Sequence, residues 1–486
     1  MASVLLGLNP VLLWKHFDAL RQIPRCSGNE RAAGDYVVAV AEGLNLNFKR
    51  DRVGNIVVQK PASPGCEKAR RVILQGHLDM VCEKDCGVEH DFEKDPIQIL
   101  RDGDWLTARG TTLGADNGIG VAAALAVMEE ESLVHGPLEL LFTVDEETGL
   151  TGASQIETDF LVGRTYLNLD SEEEGAFFIG CSGGGDSVIT VPLKRVHGPG
   201  GDRVKVTLTG LRGGHSGIDI NQGRGNAIKL LARMIWQAGR EQPYHLVTFE
   251  GGNKRNAIPR EATAEMVVPS ADTEGFRGTL QSSFEAIRLE FKAVEKEMEL
   301  KVEQLSGGAH QVCEADSQRR LINLLFGLPH GVLAMSQEIP ELVETSNNVA
   351  TVRCGEESAT IGLSSRSSVG SALKATRDML KAMAEMVGAE IDQPEGYPGW
   401  IPNLDSPILQ VVKETYKDLF GEDAEVKAIH AGLECGLIGE RFPGMDMVSF
   451  GPELRHPHSP EERVHIGSVQ KFWKLLTATL ERLAGA

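Results

Sequence analysis

Across residues 72–170, short apolar runs alternate with helical patterns, and each run ends in acids or a histidine. The runs read VILQGHLDMV, LELLFTVDEE and TYLNLDSEEE, with the Ala-rich VAAALAVMEEE between the first two. Such alternation is the pattern of an α/β sheet. In open sheets of this class the carboxyl ends of the strands line the binding crevice. His77, Asp79, residues 145–147 and Asp170 are therefore expected along one rim. The stretch 121–128 has strong helix propensity and too few polar groups for a surface helix, so it is expected to pack on the sheet.

Beyond the glycine cluster CSGGG the texture changes to alternating strand patterns, DSVITVPL and RVKVTLTG, followed by a helix over about 225–238. A strand ATAEMVV, a helix over 279–291, a strand MELKVEQL and a helix over 371–387 continue this α+β unit. The segment DQPEGYPGWIPN holds three prolines and two glycines and reads as a crossing between domains. The segments LQVVKETYKDLF and AEVKAIHAGLECG that follow it return to an α/β pattern. The expected architecture is a mixed-sheet α/β domain flanked by helices, made of residues 1–185 and 399–486, with an inserted α+β domain over 186–398.

Several function classes fall away on composition. With 49 Lys+Arg against 69 Asp+Glu, the formal charge is −20, which repels polyanions, so no nucleic-acid partner is expected. No apolar run approaches the roughly 20 residues needed to span a bilayer, and no membrane association is expected. The N-terminal stretch MASVLLGLNPVLLWKHFDALRQIP lacks a basic start and continues amphipathically, which reads as an ordinary first helix of an unexported, cytoplasmic chain. Eight scattered cysteines form no dense framework and are expected as reduced thiols.

The strand-end residues suit hydrolytic metal chemistry. Zinc sites that cleave amides use imidazole and carboxylate ligands and often place two ions roughly 3.5–4 Å apart. His77 and Asp79 lie two apart after a strand, so an extended chain points both to one face, where Asp79 can orient the imidazole. Asp116, in the glycine-bounded loop TTLGADNGIG, can approach two ions without crowding and is the candidate bridge. Glu146 and Glu147 are adjacent at a strand end and face different ways, so one is expected to bind metal and the other to handle protons. Singly, H-x-D or E-E is an ordinary pair, and residues 172–174 of SEEE are expected to face water.

Taken in order, QGHLDMV, GTTLGADNGIG, DEETGLTGA, LNLDSEE, RGGHSG and HSPEERVHIG resemble the aminoacyl-histidine dipeptidases, also called cytosol non-specific dipeptidases, of the dizinc aminoacylase and carboxypeptidase superfamily. The likeness runs over nearly the whole chain. It implies His77 and Asp170 on one ion, Glu147 and His458 on the other, Asp116 as bridge, and Glu146 as general base. It also implies a cis peptide between Asp116 and Asn117. RHPHSPEE offers two imidazoles, and the match selects His458 over His456. In the inserted domain, the resemblance makes His215 a substrate and oxyanion contact, and Asn256 and Arg366 contacts to the substrate backbone and free carboxylate. His430 in HAGLECG stays outside the catalytic set.

The implied activity is hydrolysis of dipeptides of broad Xaa-Xaa type, with a preference for Xaa-His or carnosine-like ones left open by the sequence, using two divalent ions: zinc by default, cobalt or manganese alternatively. A homodimer through the inserted lid domain is implied as well. Rival readings are an N-acyl amino acid deacylase or carboxypeptidase of the same superfamily, and a non-catalytic metal- or peptide-binding protein.

Overall fold

The computed structural model describes residues 4–307 and 311–485. The chain divides into two compact units, one of Met1–Cys181, Trp400–Ala428 and Leu433–Ala486, the other of Ser182–Gly399 and Ile429–Gly432. The return of residues 429–432 to the second unit lies inside a segment that the sequence reading gave wholly to the first. Four residues are too few to carry a pattern of their own.

The first unit is built on an eight-stranded mixed sheet. Its order is Asn47–Arg50, Ile56–Lys60, Leu138–Thr143, Val72–His77, Thr165–Asn168, Asp446–Ser449, Ala176–Cys181 and Glu425–Ile429. The central pairings are parallel: Val72–His77 runs beside Leu138–Thr143, with His77 opposite Thr143, and beside Thr165–Asn168, with Gln75 opposite Asn168. All three strands thus end at one level, where residues 77–79, 145–147 and 170 emerge. They are buried throughout, as parallel strands covered on both faces must be. The helix Ala115–Glu129 is buried from Ala115 to Met128 except at Asp116. It is apolar all round because the strand Val72–His77 and the helix Val11–Leu20 both pack against it. No helix among the described residues is long and apolar enough to cross a membrane.

The second unit carries an antiparallel sheet, ordered Glu299–Leu305, Asp202–Thr209, Ala262–Val268, His245–Gly251, Val343–Cys354, Ser358–Ser367, Gly183–Pro192 and Glu390–Asp392, with Gly331–Met335 also paired to Val343–Cys354. Helices Ala227–Glu241, Thr273–Glu290, Ala315–Gly327 and Gly370–Met386 contribute Leu231, Ile235, Phe276, Leu280, Leu325 and Leu380 to its core.

One expectation about the cysteines fails. Cys26 and Cys82 form a disulfide across 56 residues, while the other six are free. The strand-like approach of residue 26 to residue 80, with Met80 N–H donating to the Arg25 carbonyl (3.1 Å), brings the two thiols together. Sequence spacing carries no trace of that approach.

Candidate metal centre

The rim formed by the three strand ends receives two further segments. The non-helical start of Ala115–Glu129 brings Asp116, and the loop after Leu454–Arg455 brings His458. Asp116 lies between two imidazoles: its Oδ1 is 3.2 Å from His77 Nε2, and its Oδ2 is 3.1 Å from His458 Nε2. His77 Nε2 is also 3.3 Å from Asp170 Oδ1, and His458 Nε2 is 3.0 Å from Glu147 Oε2. One carboxylate therefore presents each oxygen to a different histidine–carboxylate pair.

Ligand atoms lie within 4.8 Å of one another in three overlapping groups at this rim: His77, Asp116 and Asp170; Asp116, Glu147 and His458; and His77, Glu146 and Glu147. A fourth group, Glu30, Asp79 and Asp145, is already hydrogen-bonded, since Glu30 Oε1 accepts from the N–H groups of Gly28 (2.6 Å) and Asp145 (3.1 Å).

Asp79 has more partners than a single imidazole. Its Oδ1 lies 3.3 Å from His77 Nδ1 and accepts from Glu146 N–H at 3.1 Å, while Oδ2 accepts from Glu147 N–H at 3.1 Å and from Ser27 Oγ at 2.8 Å. It thereby fixes His77 together with the turn that carries both glutamates. The Asp116–Asn117 peptide is cis, as the resemblance implied. His458 has a left-handed backbone, φ +59°, as does His456, φ +55°. Only His458 reaches Asp116 and Glu147; His456 lines a cavity of about 340 Å3 with Asp102, Trp105, Thr107, Glu461 and Arg463.

Electrostatics follow from crowding acids in a dry place. Burial opposes charge on His77, yet Asp170, Asp116 and Asp79 more than offset it, and its pKa stands well above the ordinary value. Hydrogen bonds to Asp116 and Glu147 push His458 up to about 11. Burial raises Asp170 to about 6 against the pull of His77. Asp116 is held low because its two imidazole partners outweigh burial. Glu146 is raised well above the carboxylate range by burial, with Asp170, Glu147 and Glu434 adding to it and His77 opposing.

Two groups depart from what the sequence suggested. Glu172, expected to face water, is half-buried, and burial together with Asp116 and Asp170 pushes it up to about 9. Glu173 and Glu174 do pair outwards, with Lys427 and Lys471. Glu434, which the sequence reading passed over, is 1% exposed and accepts from Gln75 Nε2 (2.6 Å) and Thr143 Oγ1 (2.7 Å), while Gln75 Oε1 accepts from Asn168 Nδ2 (2.5 Å). A polar chain thus runs under the strand ends. Its only sequence signal is a polar residue inside each of three apolar strands.

These residues fit divalent cations. Asp79, Asp116, Glu146, Glu147, Asp170, Glu172, Glu434 and Glu462 are balanced by one guanidinium, that of Arg25, and by two imidazoles. Among the described residues, Glu147 Oε1 is buried with no hydrogen-bond partner, and buried Asp170 Oδ1 has no partner beyond the His77 ring at 3.3 Å. Uncompensated buried carboxylate is costly unless paired or bound to metal, and the mixed imidazole–carboxylate set suits zinc-like ions.

The second unit holds the remaining candidates. His215 lies in the two-residue strand Gly214–His215, opposite Ala257. Its Nδ1 accepts from Gly217 and Ile218 N–H, both at 3.2 Å, so the neutral ring carries its proton on Nε2. Burial lowers its pKa, with Arg366 adding to the effect and Asp219 opposing. Arg366 is 8% exposed and donates from Nη1 to Tyr397 Oη at 2.9 Å. Asn256 is exposed, and its carbonyl accepts from Ser216 N–H at 2.8 Å. His430 is buried, its Nε2 2.7 Å from Ser346 Oγ, and burial lowers its pKa to about 3.

The family model for peptidase family M20/M25/M40 matches residues 73–482. The chain is 42% identical to the cytosol non-specific dipeptidase of Escherichia coli strain K12 over 482 residues, 99% of each protein. It is 42% identical to the aminoacylhistidine dipeptidase of Vibrio alginolyticus, whose crystal structure superposes with a TM-score of 0.92 over 99% of this chain and 98% of that one. Aminopeptidase PepT of Bacillus cereus, at 16% identity and a TM-score of 0.57 over 98% and 99% of the two chains, shares the fold. The chain belongs to peptidase family M20/M25/M40.

Proposed function

We propose that the chain hydrolyses dipeptides with two divalent metal ions, zinc by default and cobalt or manganese alternatively. His77 and Asp170 would hold one ion, Glu147 and His458 the other, and Asp116 both. The observation that carries this reading is the placement of Asp116, whose two oxygens face two separate histidine–carboxylate pairs at 3.2 and 3.1 Å. When bound, such ions polarise the scissile carbonyl and lower the pKa of water.

Glu146 is the general base. Its side chain accepts no hydrogen bond from any described residue, and its carboxylate groups with His77 and Glu147. It takes the proton from the attacking water and passes it to the departing amine. Asp79 keeps His77 and the Glu146–Glu147 turn in register. In the second unit, His215 offers a neutral Nε2–H for the oxyanion that develops in the transition state. The guanidinium of Arg366 is suited to a free carboxylate, which its planar fork can hold bidentately, and Asn256 is assigned to the substrate backbone. The resemblance adds a homodimer through the second unit, acting as a lid domain, and the Escherichia coli relative's name supports a cytoplasmic location.

The Vibrio alginolyticus relative's name favours including Xaa-His substrates, and carnosine-like β-Ala-His is part of the same proposal. The test is to strip the protein with a chelator and assay free dipeptides and N-acetyl amino acids with zinc, manganese or cobalt restored. Metal-dependent cleavage of dipeptides well above that of N-acetyl amino acids is expected. Preference for the acetylated compounds would move the chain to the deacylases, and no metal-dependent cleavage would defeat the proposal.

A further inference from the structure

The first N–H groups of a helix lack intrahelical partners and are usually satisfied by a Ser, Thr, Asp or Asn at the N-cap. The turn that leads into the regular helix after Asn117 has no such local cap: Gly114 has no side chain, and the backbone of Asp116 and Asn117 is non-helical. Four successive N–H groups instead donate to one distant carboxylate. Glu462 Oε2 accepts from Leu113 (2.7 Å) and Gly114 (2.9 Å), and its Oε1 from Ala115 (2.7 Å) and Asp116 (3.2 Å). Glu462 is 2% exposed and lies 346 residues from Asp116 in sequence. It belongs to the loop that carries His458, closed by Glu462 N–H to the Ser459 carbonyl at 3.0 Å.

The carbonyl side of the same segment is held by Arg25, which is 3% exposed. Its Nη2 donates to the Gly114 carbonyl, and its Nη1 donates to the carbonyls of Leu78 (3.0 Å) and Asp79 (2.8 Å). Gly114 has φ +72°, and a Cβ there would stand 2.6 Å from Arg25 Nη2. Only glycine lets the guanidinium come this close. One buried anion and one buried cation therefore tie together the segments that carry His77, Asp116 and His458.

We propose that Glu462, seconded by Arg25, is a positioning residue that sets the Asp116 carboxylate between the two metal ions. The inference rests on the reading of Asp116 as their shared ligand. A local side chain would suffice merely to satisfy these N–H groups. Drawing the cap from the His458 loop makes the placement of Asp116 depend on the placement of His458.

Glu462→Gln keeps the side-chain size but turns an NH2 towards two of the four donors. Zinc affinity is measured by competition with a chromophoric chelator, alongside the visible spectrum of the cobalt-loaded protein and the melting temperature of the metal-free protein. The expected result is zinc binding weaker by roughly 10- to 100-fold, the range typical for loss of a group that orients a metal ligand, with an altered cobalt spectrum. Glu462→Asp should recover part of the affinity. A Glu462→Gln protein that melts lower yet binds two zinc ions with unchanged affinity and spectrum overturns the proposal. If Glu462→Gln does not fold, Arg25→Lys probes the carbonyl side, and unchanged zinc affinity there overturns it equally. Asp116→Asn separates the two levels of argument. If Asp116→Asn binds two zinc ions as tightly as the parent, the two-metal reading itself fails. If it loses them while the Glu462 variant does not, only the positioning role fails.

Discussion

Asp79 shows how much one carboxylate can hold at this rim. Its oxygens serve the N–H groups of Glu146 and Glu147 and the hydroxyl of Ser27, and stand beside His77 Nδ1. Burial alone would raise its pKa, but His77 above all, with the Glu146 N–H and the Ser27 hydroxyl, holds it down to about 2. Asp79→Asn puts an NH2 against donors, so zinc affinity should fall by about 10- to 100-fold, read from the metal retained after dialysis against a graded chelator. Retention equal to the parent would leave Asp79 without this role. Glu146→Gln should behave in the opposite way. It removes the base but no ligand, so two metal ions should remain by elemental analysis while kcat falls by roughly 10²–10⁴-fold. Substantial turnover in that variant would reassign the base. The sequence placed both residues by spacing, through the H-x-D separation and the adjacent strand-end acids. It gave no hint of Glu434 or Arg25, because Glu434 joins the site through the side chains of Gln75 and Thr143, and Arg25 through the carbonyls of Leu78, Asp79 and Gly114, all distant in sequence.

Among the elements, the strands were the most legible. Apolar runs ending in acids located Val72–His77, Leu138–Thr143 and Thr165–Asn168 and identified the rim. Helices of the second unit were legible in their middles and less so at their ends. The helix expected over 279–291 starts six residues earlier, at Thr273, where Thr273 Oγ1 donates to Asp202 Oδ2 at 2.8 Å. The helix Ala315–Gly327 was not foreseen, and its end is capped from outside. Lys229 Nζ donates to the carbonyls of Leu325 (2.8 Å), Phe326 (2.5 Å) and Leu328 (2.5 Å). A cation suits a helix C-terminus, where carbonyls lack partners. Lys229→Met should therefore destabilise the protein by about 1–3 kcal/mol, seen as a lower urea midpoint with activity retained at low urea. An unchanged midpoint would mean that water replaces the ammonium there.

On the scale of the whole molecule, three histidines, His16 and His430 buried and His330 half-buried, make stability depend on acid. Burial lowers His16 to about 4 and both His330 and His430 to about 3. The unfolded chain takes up these protons near pH 6.5 while the folded chain resists. Stability from the neutral rings is thus complete above pH 6.5 and lost as pH falls towards 4 and then 3. Through these rings unfolding midpoints should drop from pH 7 to pH 4, an effect that the raised carboxyls of Glu172 and Glu434 work against. In His330→Gln, where the amide oxygen can still accept from Asn226 Nδ2, that drop should be shallower. An equal slope in the variant would remove His330 from the account. The sequence by itself determined the class of both units, the strand-end rim and the chemistry of its ligands, because apolar periodicity and local residue spacing are short-range properties. Tertiary structure decided that Asp116 divides its oxygens between His77 and His458, that Glu172 turns inward, that Cys26 meets Cys82, and that Glu462 holds the turn carrying Asp116, 346 residues away. Each of these depends on which distant segments share a buried space, and burial is what gives an unpaired charge or N–H group the cost that fixes its partner.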